Sequence, residues 1–202
     1  MVSKLHVIYI TGLGDHKVAQ QQRAINVWRW WGVEPELFQV RWADEEAWES
    51  KLKRLLARID DLRAQGKQVG LVGASAGASA LINAYAARKD QLVGAVCIAG
   101  KINRPEVIGK RYRAENPAFI TSAYNCKEAL KTIEPAYRQR MLSRYAVFDG
   151  VVFRKDSHVP GVHNRLSPTI GHIPTIALQI TIGAPSFLYF LKRQAKNLPV
   201  KT

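Results

Sequence analysis

The sequence predicts an α/β protein: a three-layer sandwich with a mainly parallel sheet of about six strands and helices on both faces. Short apolar runs that stop at glycine alternate with segments whose apolar residues recur at 3- and 4-residue steps. Strand–helix alternation of this kind yields parallel strands covered by crossover helices. The 202 residues show no repeat or low-complexity tract, and the length suits one domain over 1–202 with a small basic loop or cap at 101–116.

Leu5-His6-Val7-Ile8-Tyr9-Ile10 reads as the first buried strand, ended by Thr11-Gly12-Leu13-Gly14. Val18 to Trp31 reads as a helix with Ile25 and Trp28 on its apolar side, joined by Ala24 and Trp31. Gly32 stops it, and Trp28-Arg29-Trp30-Trp31 reads as helix core with one exposed basic residue. A second strand is expected at Leu37-Phe38-Gln39-Val40-Arg41-Trp42. Trp48, Leu52, Leu55, Leu56, Ile59 and Leu62 mark a helix over 45–64 that closes at Gly66. Val69-Gly70-Leu71-Val72 is the third strand, followed after a tight connection by a helix through Ala78, Leu81, Ile82 and Tyr85. Leu92 to Ile98 is the fourth strand, with Gly100 at its end. An irregular stretch, 101–116, precedes helices at 117–131 and near 135–141, and Tyr145-Ala146-Val147-Phe148 is a fifth strand ending at Asp149. Ile173 to Leu191 is a 19-residue run without charge. That length touches the transmembrane range, but Pro174, Gln179, Gly183 and Pro185 interrupt it, and a buried terminal helix broken at Pro185 is expected.

Ligands of such sheets gather at the carboxyl ends of the strands, so the loops starting at Thr11, Gly73, Gly100 and Asp149 matter most. Gly73-Ala74-Ser75-Ala76-Gly77 fits G-x-S-x-G, a pattern expected about 0.04 times by chance at this composition. A strand stops at Val72 and a helix starts by Ala78, as the strand–turn–helix elbow of a nucleophilic serine requires. A plain glycine turn with a serine N-cap is the alternative; a dinucleotide loop has different glycine spacing. A serine hydroxyl needs a base and an orienting acid. Asp149, at a strand end, and His172, in Thr169-Ile170-Gly171-His172, follow Ser75 in the order acid, then histidine. Asp156 is a rival acid, and His158 and His163 are rival bases read as loop histidines. An oxyanion hole needs two backbone N–H groups. Ala76, after the nucleophile, is one candidate, and Leu13, in the glycine-flanked loop after the first strand, is the other.

These pieces together resemble the α/β-hydrolase superfamily, specifically its compact lipase- and esterase-like members. Thr11-Gly12-Leu13-Gly14 looks like the family's H-G-x-G oxyanion loop, and Gly73 to Gly77, Asp149-Gly150-Val151-Val152 and Gly171-His172 follow in the family's order. The resemblance implies a Ser75–Asp149–His172 triad, acyl-enzyme chemistry on a small-molecule acyl ester, and no cofactor. Thr11 stands where the family often has histidine, but the donor role there belongs to the backbone. The chain lacks room for the antiparallel strands that begin larger members and for a large lid.

The balance of 30 basic against 16 acidic residues, net +14, predicts attraction to polyanions. Weak non-specific association with anionic membrane or nucleic acid is the expected form, since the basic residues are scattered: Arg54, Arg58 and Arg63, then Lys101 to Arg113, then Lys192 to Lys201. Lys101, Arg104, Lys110, Arg111 and Arg113 either overhang the site and favour an anionic substrate or form a solvated loop, the plainer reading. Cys97 and Cys126 make no disulfide framework or zinc spacing, so no metal is expected. Met1-Val2-Ser3-Lys4 lacks the features of a secretory leader, which agrees with a cytoplasmic address. A catalytically silent binding protein on a hydrolase scaffold and a non-specific polyanion-binding protein are the competing functions, and no specific protein partner is implied.

Overall fold

The sheet grows outward from β1 (Leu5–Ile10), all six residues of which are buried. A strand apolar on both faces needs a neighbour along each edge and a helical layer on each side. Its edges pair in parallel with β2 (Val33–Phe38) and β3 (Val69–Ala74). The sheet continues through β4 (Leu92–Ile98), β5 (Met141–Phe148) and β6 (His163–Ile170), in the order β2-β1-β3-β4-β5-β6, every pairing parallel. The structure, a computed structural model, describes residues 4–197. Met1 to Ser3, read above as part of a leaderless start, and Lys201 of the basic tail lie outside the described residues.

From β1 the chain steps one way to β2, then crosses back to β3 and onward. Right-handed crossovers therefore throw the connecting helices onto opposite faces. One face carries α1 (Val18–Asn26) and a 3₁₀ turn over Val27–Trp31. The other carries α2 (Trp48–Ala64), α3 (Ala76–Arg88) and, after the short α4 (Lys110–Glu115), α5 (Pro117–Thr132). The one-turn helices α6 (Pro135–Arg138) and α7 (Arg154–Ser157) flank β5, and α8 (His172–Ile180) and α9 (Ala184–Asn197) return to the first face. Strand alternation splits the apolar residues between two cores. Leu5, Val7 and Tyr9 meet Trp28, Phe187 and Leu191, whereas Ile8 and Ile10 meet Leu55, Ile59, Leu81 and Phe119. Where α9 crosses the sheet, Gly70 and Gly94 leave a shallow seat, and a Cβ on either would lie 3.3 Å from a Leu191 methyl.

Four expectations are corrected. The second strand is Val33–Phe38 rather than Leu37–Trp42: Pro35 is tolerated because β2 is an edge strand. Residues beyond Phe38 leave the sheet, where the Val40 N–H reaches Thr11 Oγ1 and the Trp42 N–H reaches the Asp15 carboxylate. The sixth strand falls on His163–Ile170, which no sequence signal marked, and β5 starts already at Met141. Trp28 is buried as expected, but Trp30 and Trp31 are exposed: the α-helix gives way to a 3₁₀ turn at Val27, and these two end that turn just before Gly32 leads the chain away at φ 67°. The terminal apolar run breaks at 181–183, before Pro185, with α8 and α9 bent by 59°. Pro185 sits in the first turn of α9, where its missing N–H costs no helical bond. Among the described residues no single helix is long and apolar enough to cross a membrane.

Candidate active site

Ser75 occupies the hinge between β3 and α3 with φ 53° and ψ −121°. A non-glycine residue in this region is strained by about 1–3 kcal/mol and persists only where its surroundings hold it. Here the Ser75 N–H donates to Ile98 O (3.0 Å), and its carbonyl accepts from the N–H groups of Ala78 (3.1 Å) and Lys101 (3.2 Å). The flanking glycines let the two arms close. A Cβ on Gly73 would stand 2.5 Å from Gly77 O, and one on Gly77 would stand 2.3 Å from Ile10 O.

Asp149 and His172 sit just beyond the carboxyl ends of β5 and β6. The Gly171 N–H donates to Phe148 O (2.8 Å), tying those two strand ends together, and Gly171 turns at φ 93° to begin α8 with His172. His172 Nε2 lies 2.9 Å from Ser75 Oγ, and its Nδ1 lies 2.8 Å from Asp149 Oδ2. Asp149 Oδ1 accepts from the N–H groups of Val151 (2.8 Å) and Val152 (2.9 Å). Burial pushes the Asp149 carboxyl up, but the His172 bond and the two backbone N–H groups outweigh it and hold the group below its ordinary value. An ionised carboxylate only accepts. His172 Nδ1 then donates to Asp149, and in the neutral ring Nε2 presents its lone pair to the serine hydroxyl.

The loop after β1 closes the other side. A Cβ on Gly12 would stand 2.8 Å from Ala74 O and 3.0 Å from Ser75 Cβ, so the backbone at 12–13 lies directly against the elbow. Thr11 is fully buried; its carbonyl accepts the Trp42 indole N–H (2.9 Å), and its Oγ1 donates to Phe38 O (3.4 Å) and accepts the Val40 N–H (3.2 Å), so residue 11 anchors the loop to residues 38–42. Ala76 opens α3, and N–H groups of a first helical turn have no partner within the helix.

No protein-family model matches the sequence, and no curated protein is similar to it in sequence. Solved structures do match. A carboxylesterase of the thaumarchaeon Nitrososphaera gargenis superposes with a TM-score of 0.72 at 11% identity, over 98% of this chain and 93% of that one. The monoacylglycerol lipase of Paleococcus ferrophilus gives 0.63 at 14% identity, over 93% and 94%. A soluble variant of the Saccharomyces cerevisiae monoglyceride lipase, in complex with a substrate analogue, gives 0.63 at 14% identity, over 98% and 89%. The chain has the α/β-hydrolase fold.

On this α/β-hydrolase scaffold the rival residues are bound to other partners, although Asp156 and Lys101 also line the cavity beside Ser75. Asp156 is buried against Lys101 Nζ (2.9 Å) and the Arg104 guanidinium (2.7 Å), and its carboxylate also accepts the Phe153 N–H (3.2 Å). His158 packs near the Tyr145 ring, and His163, on β6 rather than in a loop, contacts Gln139 O. The basic stretch divides. Lys101 and Arg104 share Asp156, Arg111 pairs with Glu115, and Arg113 clips the carbonyls of Pro105, Glu106 and Ile108. The same stretch supplies Val107, Ile108 and Tyr112 to a cavity of about 120 Å³ beside Ser75, which Leu13 and Phe119 also line. Sequence reading missed this wall and the Lys101–Asp156 pair. The residues lie 55 positions apart, and only the docking of the 150s loop over Gly100 brings them together.

Proposed function

We propose that the protein is a serine hydrolase of the carboxylesterase and lipase kind, cleaving a carboxylic ester or thioester through an acyl-serine intermediate. The observation that carries this is the chain of contacts from Ser75 Oγ to His172 Nε2 (2.9 Å) and from Nδ1 to Asp149 (2.8 Å), ending on a serine held at positive φ. The fold shared with carboxylesterases and monoglyceride lipases supports the same reading.

In this mechanism His172 Nε2 takes the hydroxyl proton as Ser75 Oγ bonds to the ester carbonyl carbon. Asp149 keeps the imidazole in the required tautomer and stabilises its cation. The N–H groups of Leu13 and Ala76 receive the oxyanion. Collapse of the tetrahedral species expels the alcohol, which takes its proton from His172. Water, deprotonated by His172, then attacks the acyl-serine and releases the acid. The apolar wall of Leu13, Val107, Ile108, Tyr112 and Phe119 takes the acyl part.

A fluorophosphonate probe tests the proposal. Ser75 should be labelled stoichiometrically, and labelling should vanish in Ser75→Ala and fall sharply in His172→Ala. A folded wild-type protein that resists the probe would point instead to a catalytically silent scaffold.

A further inference from the structure

The acidic residues are distributed unevenly over the molecule. None lies between His16 and Val33, and none follows Asp156. Those two stretches build α1, the Val27–Trp31 turn, α8 and α9, which together form one outer layer of the sandwich. Glu34 and Glu36, next along the chain, turn to the opposite face, where Lys67 and Arg58 bind them. Among the described residues the layer thus carries no carboxylate, yet it presents Arg23, Arg29, Lys192, Arg193 and Lys196.

The same layer exposes large apolar side chains. Trp30 is 85% exposed, Trp31 49%, Ile182 79% and Tyr189 65%. They belong to one surface unit. Trp28 donates its indole N–H to Ile180 O (2.7 Å) and meets the Phe187 ring edge-on at 5.3 Å, while Lys192 Nζ bonds the Trp31 carbonyl. Single exposed apolar residues are ordinary; two adjacent exposed tryptophans, with an exposed isoleucine and tyrosine on the elements packed beside them, are not.

We propose that this layer docks on the surface of an anionic lipid bilayer. Tryptophan and tyrosine settle at headgroup depth, where the ring is apolar and the N–H or O–H stays wet. Ile182, at the outward bend between α8 and α9, enters the acyl boundary, and the ammonium and guanidinium groups meet the lipid phosphates. A carboxylate-free layer avoids repulsion at every point of contact. The isoleucine separates this surface from one built for nucleic acid, since it offers a base or a phosphate neither stacking nor a hydrogen bond. Ile173, also exposed, follows His172 on α8, so the layer reaches toward the Ser75 mouth. The docking itself does not depend on Ser75 chemistry.

Cosedimentation with vesicles of mixed phosphatidylglycerol and phosphatidylcholine tests this, with pure phosphatidylcholine vesicles and duplex DNA as parallel arms. The wild-type chain should bind the mixed vesicles and not the neutral ones. Trp30 and Trp31 emission should shift to the blue and lose access to iodide, a signal the buried Trp28, Trp42 and Trp48 do not give. Trp30→Ala with Trp31→Ala, and separately the exposed pair Arg193→Glu with Lys196→Glu, should weaken partitioning at least about tenfold. Lys53→Glu with Lys131→Glu, the same charge change on the opposite layer, should weaken it far less. Equal losses in the two charge-reversed proteins would reduce the effect to net charge and overturn the proposal. So would unchanged iodide access on vesicles, or tighter binding to DNA with the same tryptophan dependence.

Discussion

At the scale of single residues, Ser75 sits at positive φ with its hydroxyl at His172, and in the proposed mechanism one oxygen separates a reactive elbow from a silent one. Ser75→Ala should reduce hydrolysis of short p-nitrophenyl esters to background with no change in the circular dichroism spectrum, because the turn is already lined by small residues. The two buried aspartates should separate cleanly. Asp149→Asn removes the acceptor that fixes the His172 tautomer and should lower kcat by about 10⁴-fold, the loss seen in a comparable triad. Asp156→Asn leaves Lys101 buried without its counter-charge; breaking such a pair costs about 3–5 kcal/mol, so urea denaturation should report the loss while kcat falls far less. A larger kcat effect at Asp156 would transfer the acid role to it. That Ser75, Asp149 and His172 would come together was legible in the sequence, because each stands at the end of an apolar run or just after a glycine, in an order that topology restricts. Asp156, in a polar loop beyond the strand end, was the less constrained rival on those grounds. Its partners are fixed by tertiary contacts that no local spacing encodes.

Among the elements, the elbow depends on the approach of α3 to β1. Gly77→Ala would drive a Cβ into the Ile10 and Thr11 carbonyls, which are backbone and cannot swing aside. It should lower stability by about 1–3 kcal/mol and abolish fluorophosphonate labelling with Ser75 and His172 intact. Gly150→Ala, adjacent to Asp149 but facing open space, should do neither. At the β1–β2 edge, burial pushes the Glu36 carboxyl up, but bonds from His6 and Arg58 overcome it and hold the group at about 2. A carboxyl depressed in the folded state stabilises above its unfolded pKa of about 4.3. That contribution fades as pH falls toward 2. Thermal melts should therefore find Glu36→Gln less stable than wild type at pH 7, with the gap closing between about pH 4 and 2. Elements buried on both sides, β1, β3, β4 and α3, announce themselves as apolar runs. Edge strands do not: Glu34-Pro35-Glu36 and His163-Asn164-Arg165 take their strand geometry from a neighbour's hydrogen bonds, and their sequences read as turn or loop.

For the molecule as a whole, alternation of strand and helix was enough to predict a parallel sheet covered on both faces, while the strand order and the split into an acid-bearing layer and an acid-free one emerged only from the assembled fold. The terminal apolar run belongs to the core: Leu191→Ala, opening a void over Gly70 and Gly94, should cost about 2–5 kcal/mol in chemical denaturation. The parallel topology also has a consequence in time. Ser75 and His172 stand 97 residues apart, and the histidine arrives only with the outermost strand, β6, whose one neighbour is β5. Pairings this distant along the chain form late, after the entropy of a long loop has been overcome. On a ribosome the elbow between β3 and α3 can form while His172 is still untranslated, so under the proposed mechanism the nascent chain would carry an inert serine throughout its vulnerable period. In refolding, burial of Trp42 and Trp48 should run ahead of fluorophosphonate reactivity, and stopped-flow fluorescence against timed labelling will measure the lag. Simultaneous recovery would mean that the sheet closes in one step, from its centre to its last edge.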